Sequence, residues 1–139
     1  MAKTYHVAVV GVGLVGQEIM RVLEEMEFPY SELTIMARSE RTQELAGKER
    51  KVLSTTADNL KKADIALFAG TEGESGASKE FGWDAAEAGT VVIDNGSDFR
   101  MDPRVPLVVP EVNPQALKGH PNFIANPNCS TIQMVVALA

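Results

Sequence analysis

The chain has 139 residues, 45% apolar and 23% charged, a balance that predicts a packed core and excludes a disordered chain. Its net charge of −6 argues against nucleic acid or an anionic membrane as a general partner. The lone cysteine excludes an internal disulfide and fits a reducing cytoplasm, and no apolar run reaches the length of a membrane span.

Tyr5-His6-Val7-Ala8-Val9-Val10 is a β-branched, apolar run and reads as a buried parallel strand. Its apolar part, Val7 to Val10, is too short for a signal peptide. Gly11-Val12-Gly13-Leu14-Val15-Gly16 follows at once. Residues 17–27 then place apolar Ile19, Met20, Val22, Leu23 and Met26 at helical spacing. Strand, glycine turn and helix form the context in which G-x-G-x-x-G points to a dinucleotide. The turn lets a pyrophosphate approach the backbone, and the helix N-terminus offers it N–H donors. Phe28-Pro29-Tyr30-Ser31 breaks the helix, and Leu33 to Ala37 reads as a second strand.

Past this strand an NAD site would place an acid on the ribose 2′-hydroxyl. Here stand Arg38-Ser39-Glu40-Arg41-Thr42. Two arginines and two hydroxyls suit a 2′-phosphate, hence NADP, while Glu40 keeps NAD open. Either arginine taken singly could equally belong to a solvated loop. Thr42 to Leu60 is polar, with a short strand expected at Lys51-Val52-Leu53.

Asp64 to Ala69 reads as a further buried strand, leading into a glycine-rich loop from Gly70 to Gly76. Ala77 to Ala88 reads as a helix stopped by Gly89, and Thr90 to Asp94 as the next strand. Arg100 follows among Asn, Ser and Gly. It could grip an oxyanion, although the spacing alone favours a turn arginine paired with Asp98 or Asp102. Pro103, Pro106, Pro110 and Pro114 mark an extended, turning segment, and Asn122 to Ala125 a last short strand.

Next comes Asn126-Pro127-Asn128-Cys129-Ser130-Thr131, ahead of a run that is almost wholly apolar up to Ala139 and long enough for a buried helix. Asn128, Ser130 and Thr131 are helix-starting residues, so Cys129 is expected at a helix N-terminus, where N–H groups and the dipole favour a thiolate nucleophile. A small buried cysteine is the commoner alternative. His6 and His120 lie near no cysteine or acid cluster, so no metal is assigned. The alternation of strands and helices predicts an α/β fold: a doubly wound, mostly parallel Rossmann-type sheet with helices on both faces.

Three stretches together resemble the aspartate-β-semialdehyde dehydrogenase family: Val91 to Met101 (VVIDNGSDFRM), Pro106 to Pro114 (PLVVPEVNP) and Ile124 to Gln133 (IANPNCSTIQ). The resemblance runs along the whole chain and is tightest from Val91 onward. It implies that Cys129 forms a covalent acyl-enzyme and that Arg100, with Asn128 nearby, binds phosphate or acyl phosphate. It implies that Gly11, Val12, Gly13, Leu14, Val15 and Gly16 hold the NADP pyrophosphate. Arg41 and Thr42 match the family's Arg-Ser pair that meets the 2′-phosphate, with Arg38 and Ser39 competing because one extra residue follows the second strand.

The first glycine turn is one residue shorter than the family's G-x-x-G-x-x-G. The loop from Gly70 to Ser78 is longer and carries Glu72 and Glu74, acids that would weaken contact with an anionic cofactor. The resemblance divides the chain into an NADP-binding domain, 1–128, and the start of a catalytic domain, 129–139. The family's acid/base histidine and its substrate-carboxylate arginine would lie beyond Ala139, so the piece alone is expected to be inactive. The family also implies a homo-oligomer, a dimer or tetramer. An N-acetyl-γ-glutamyl-phosphate reductase, or a dinucleotide-binding module without catalysis, is the alternative; the Asn126 to Thr131 string argues against the former.

Overall fold

A computed structural model of the chain describes residues 2–70, 73 and 76–139. Among these residues, seven strands form one sheet: β1 (Tyr5–Val10), β2 (Tyr30–Ala37), β3 (Arg41–Leu45), β4 (Lys48–Ser54), β5 (Ile65–Phe68), β6 (Val91–Asp94) and β7 (Phe123–Ala125). Their order across the sheet is β3-β4-β2-β1-β5-β6-β7, and every neighbouring pair is parallel except β3 with β4. The chain runs outward from β1 through β2 to the hairpin, then returns to β5 and runs outward on the other side. The gap between the carboxyl ends of β1 and β5 is therefore the switch point at which open α/β sheets take ligands.

Each face of the sheet has its own core. On one, Met20, Ile19 and Leu23 of α1 (Leu14–Glu25) pack on Val9, Ile35, Val52 and Leu45. On the other, Ala85, Ala86, Phe81 and Trp83 of α3 (Ala77–Glu87) pack on Ala66, Phe68, Val92, Phe123 and Ala125. Leu60 of the short α2 (Ala57–Leu60) joins this second core. The alternation of β5 and β6 fits the division: Ala66, Phe68, Val92 and Asp94 point into the α3 side and are buried, while Ile65, Leu67, Val91 and Ile93 are only half-buried. Buried Thr90 ties α2 to this core by donating its hydroxyl to Ala63 O at 2.9 Å and Leu60 O at 3.3 Å.

The region from Thr42 to Leu60 is more ordered than its polarity predicts. It contains a β-hairpin and α2 rather than one short strand. Ala46 (φ 51°) and Gly47 (φ 77°) make a two-residue turn with both residues left-handed, the geometry whose twist matches the flanking strands. Ala-Gly is a weak signal for such a turn, because Ala tolerates positive φ poorly. Across the hairpin, Lys48 and Arg50 both donate to the Glu24 carboxylate on α1, at 2.9 and 2.6 Å. Those hydrogen bonds, Lys48 first and Arg50 second, hold Glu24 below the usual carboxylate range.

The expected strands and helices elsewhere recur with shifted ends. α1 begins at Leu14 rather than Gln17, because Gly13 already occupies the position before the first helical turn. β2 begins at Tyr30, whose N–H is bound to Phe28 O, so the break is shorter than the sequence indicates.

The last helix, α4 (Cys129–Leu138), departs from expectation. None of its residues is buried, and Met134, Val136 and Leu138 are exposed. The apolar run forms a helix, as its length predicts, but among the described residues none buries it beyond the partial cover of Ile132 and Val135.

Candidate functional site

An open cleft of about 570 Å³ lies at the switch point. The three glycines that follow β1 shape it in three different ways. Gly11 has φ +118°, and a Cβ there would lie 2.6 Å from Ala69 O, so the first position must be glycine for the turn to pass the end of β5. A Cβ on Gly16 would lie 2.0 Å from Gly11 O, so the third lets α1 sit directly on the turn. A Cβ on Gly13 would meet nothing within 4 Å, and its φ of −73° suits any residue. The second glycine therefore keeps space open rather than relieving strain. It stands at the N-terminus of α1, where N–H groups lack helical partners and an anion is favoured. A backbone cradle that one methyl group would fill fits a dinucleotide pyrophosphate.

Val10, Gly11, Val12 and Gly13 line one wall of this cleft, and Ala69, Gly70, Ala77 and Phe81 line another. Of the residues predicted to reach the nucleotide, Leu14 and Val15 lie outside the lining and are exposed, and Gly16 sits beneath it. Arg38 lines the cleft where β2 ends, beside Thr55 where β4 ends. Arg41 does not. It opens the edge strand β3, where its guanidinium donates to Ser39 O at 3.0 Å, Ser39 Oγ at 3.2 Å and Gln43 Oε1 at 2.9 Å. Thr42 pairs in register with Lys51 on the exposed hairpin. The structure thus brings Arg38 to the glycine corner and folds Arg41 around Ser39.

Thr55, Glu80 and Phe81 also line the cleft and carried no signal in the sequence. Thr55 follows β4 and the other two lie on α3, segments that only the sheet topology brings to this corner. The expected role of Glu72 and Glu74 falls outside the described residues.

A second cluster lies across the sheet, at the carboxyl ends of β6 and β7. Phe99 is buried against Phe123 and Trp83, with ring centroids 4.7 and 6.5 Å apart, and Arg104 stacks over Trp83 at 4.4 Å. This aromatic anchor fixes the loop that carries Arg100.

The pairing that the spacing favoured for Arg100 does not form. Asp102 is taken by Arg104, whose guanidinium sits 2.6 Å away and holds the Asp102 carboxyl down at about 2. Asp98 accepts the Gly73 N–H at 2.9 Å. Arg100 instead donates Nε–H to Asn126 O at 3.0 Å and Nη2–H to Asn95 O at 3.1 Å. Local spacing misled because both acceptors are main-chain carbonyls, one of them on the next strand connection.

Asn126 leads into α4. The side-chain oxygen of Asn128 accepts the N–H groups of Ser130 at 3.0 Å and Thr131 at 3.3 Å, which fixes the helix start. Cys129 is the first helical residue and is exposed, so the buried structural cysteine is not what forms. A thiol at an exposed, capped helix start can act as a nucleophile. Asp94, at the end of β6, is buried with Oδ2 lacking any partner among the described residues, while Oδ1 accepts the Gly96 N–H at 3.0 Å. Burial pushes its carboxyl above the ordinary range, partly offset by that N–H and by the Ser78 hydroxyl.

The profile of the family described as semialdehyde dehydrogenase, NAD binding domain, matches residues 6–120. The chain is 52% identical to the aspartate-semialdehyde dehydrogenase of Aquifex aeolicus, over 96% of this chain and 41% of that protein. It is 45% identical to the Bacillus subtilis enzyme of the same name, over 99% of this chain and 40% of that protein. Among solved structures it resembles Vibrio cholerae aspartate semialdehyde dehydrogenase II complexed with ASA, with a TM-score of 0.84 and 47% identity. That match covers 98% of this chain and 45% of that one. The chain thus spans less than half the length of these relatives.

Proposed function

Since the chain belongs to the semialdehyde dehydrogenase NAD-binding family, we propose that it is the cofactor-binding part of an NADP-dependent aspartate-semialdehyde dehydrogenase. The observation that carries the reading is the second cluster. An exposed cysteine opens a capped helix, three residues after a carbonyl that holds a guanidinium. In this reading residues 1–128 bind the nucleotide, and residues 129–139 begin the catalytic part of a cytoplasmic homo-oligomer.

The chemistry is acyl transfer followed by reduction. The Cys129 thiolate attacks the acyl carbon of aspartyl-β-phosphate, the carbon–oxygen bond breaks, and phosphate leaves with the electron pair. A thioester remains on Sγ. Gly11, Gly13 and Arg38 would hold the NADPH, whose hydride would reduce this thioester to the β-semialdehyde and free the Cys129 thiolate. Arg100 binds the phosphate before it leaves, using guanidinium N–H groups not committed to Asn95 and Asn126. Gly11 and Gly13 take the pyrophosphate against the N-terminus of α1.

Arg38 carries the preference for NADP, since it alone of the two arginines lines the cleft, while Arg41 is bound to Ser39. Titrating the full-length protein with NADPH and NADH tests this. NADPH should bind at least about tenfold more tightly, a difference of about 1.4 kcal/mol. Arg38→Ala should erase most of that preference and Arg41→Ala little of it. Equal affinities in the unmodified protein would remove the 2′-phosphate assignment. For the chemistry, Cys129→Ser should abolish phosphate-dependent oxidation of aspartate semialdehyde while leaving NADPH binding intact.

A further inference from the structure

Two asparagine side chains, Asn95 after β6 and Asn126 after β7, meet across the sheet edge. Asn126 Nδ2 donates to Asn95 Oδ1 at 2.7 Å. The same two residues offer the main-chain carbonyls that hold Arg100. Their own backbones are pinned in turn: Asn95 N–H donates to Phe68 O at 3.0 Å, and Asn126 N–H to Asp94 O at 2.8 Å. Arg100 is thereby gripped along one edge of its guanidinium, through Nε and Nη2. Its Nη1 has no partner among the described residues, so the end of the fork is left to a ligand.

The side-chain bond lies just past the pairing of β6 with β7, which ends at Asp94 and Ala125. It links the two turns whose carbonyls hold Arg100, just ahead of the helix that opens at Cys129. We infer that Asn95 and Asn126 are a positioning pair that aims the Arg100 guanidinium at a phosphoryl oxyanion bound beside Cys129. This rests on the proposed role of Arg100 and adds two residues to it. Neither asparagine touches the anion; both act through the arginine.

A double-mutant cycle in the full-length protein tests the pair, with inorganic phosphate as the probe. Dissociation constants are measured by titration calorimetry, and KM for phosphate is measured in the oxidative direction. Asn95→Ala and Asn126→Ala should each raise the phosphate Kd and KM by about tenfold, leave NADPH affinity within twofold, and combine without further loss. Arg100→Ala should weaken phosphate by more than either.

If the two asparagine variants leave phosphate affinity unchanged while Arg100→Ala weakens it, the pair has no positioning role and the anion site stands. Multiplying effects in the double variant would likewise refute a coupled pair. If Arg100→Ala itself leaves phosphate affinity unchanged, the anion reading fails and the pair fails with it. Should Asn126→Ala not fold, Asn95→Ala decides alone, because it breaks the same bond and keeps its backbone N–H on Phe68 O.

Discussion

The two halves of the site are built from different material. The nucleotide corner is made of backbone: Gly11 and Gly16 bring β1, α1 and the end of β5 into contact that no Cβ permits, and Gly13 leaves room. The cysteine side is made of side chains reaching across strand connections: Arg100 to two carbonyls, Asn126 to Asn95, and Asn128 to its own helix. A backbone site fails all at once when one methyl is added. A side-chain site fails by degrees, one hydrogen bond at a time.

Gly16→Val is expected to show the largest effect, because its Cβ would lie 2.0 Å from Gly11 O and backbone on both sides must move. Overpacking of that kind costs about 3 kcal/mol or more, read as a lower urea midpoint. A loss below about 1 kcal/mol would mean that the corner yields easily and that the contrast with the cysteine side is overstated.

Gly13→Val should separate binding from folding. The added Cβ meets nothing within 4 Å, so stability should fall only by the poorer N-cap, about 1 kcal/mol. NADPH affinity should nevertheless fall at least about tenfold, or about 1.4 kcal/mol. Retained affinity would place the pyrophosphate elsewhere.

On the cysteine side, Asn128→Ala removes the acceptor for two helix-start N–H groups, a loss of about 1 kcal/mol. Since α4 has no buried residue, the loss should be local. Amide hydrogen exchange at Ser130 and Thr131 should quicken several-fold while β1 and β5 keep their protection. Matching acceleration in the strands would show that α4 is part of the cooperative core.

The smallest effect concerns Asp94. A carboxyl whose folded pKa is raised contributes stability that is fully present below its unfolded pKa and is lost as pH rises through the folded value. Asp94→Asn should therefore gain on the unmodified protein as pH climbs out of the carboxylate range, with the difference level once Asp94 is fully ionised. A difference of the opposite slope would show that the buried carboxylate has a cation partner.

Much of this fold is legible without coordinates. β1, the glycine turn and α1 form a continuous local signal, with apolar residues at period two or unbroken, then at helical spacing, and glycines between. The alternation of the remaining elements carries the doubly wound sheet. The hairpin of β3 and β4 was hidden because Ala46-Gly47 is a poor turn signal and the strands are edge strands of charged composition. Because β3 starts at Arg41, the residues after β2 divide: Arg38 lines the cleft and Arg41 turns back onto Ser39.

The sequence by itself determined which residues could carry chemistry: three glycines at fixed spacing, one cysteine behind a helix-capping asparagine, and an arginine in a turn. Those are local properties, set by φ, helix capping and side-chain type. Only the tertiary structure decided which arginine meets the cleft, that Thr55 and Glu80 share its wall, and that Arg100 is held by Asn95 and Asn126 rather than by a nearby acid. It also decided that no residue of the apolar α4 is buried. These are contacts between segments far apart in the chain. Strand order and register fix them, and no local spacing encodes either.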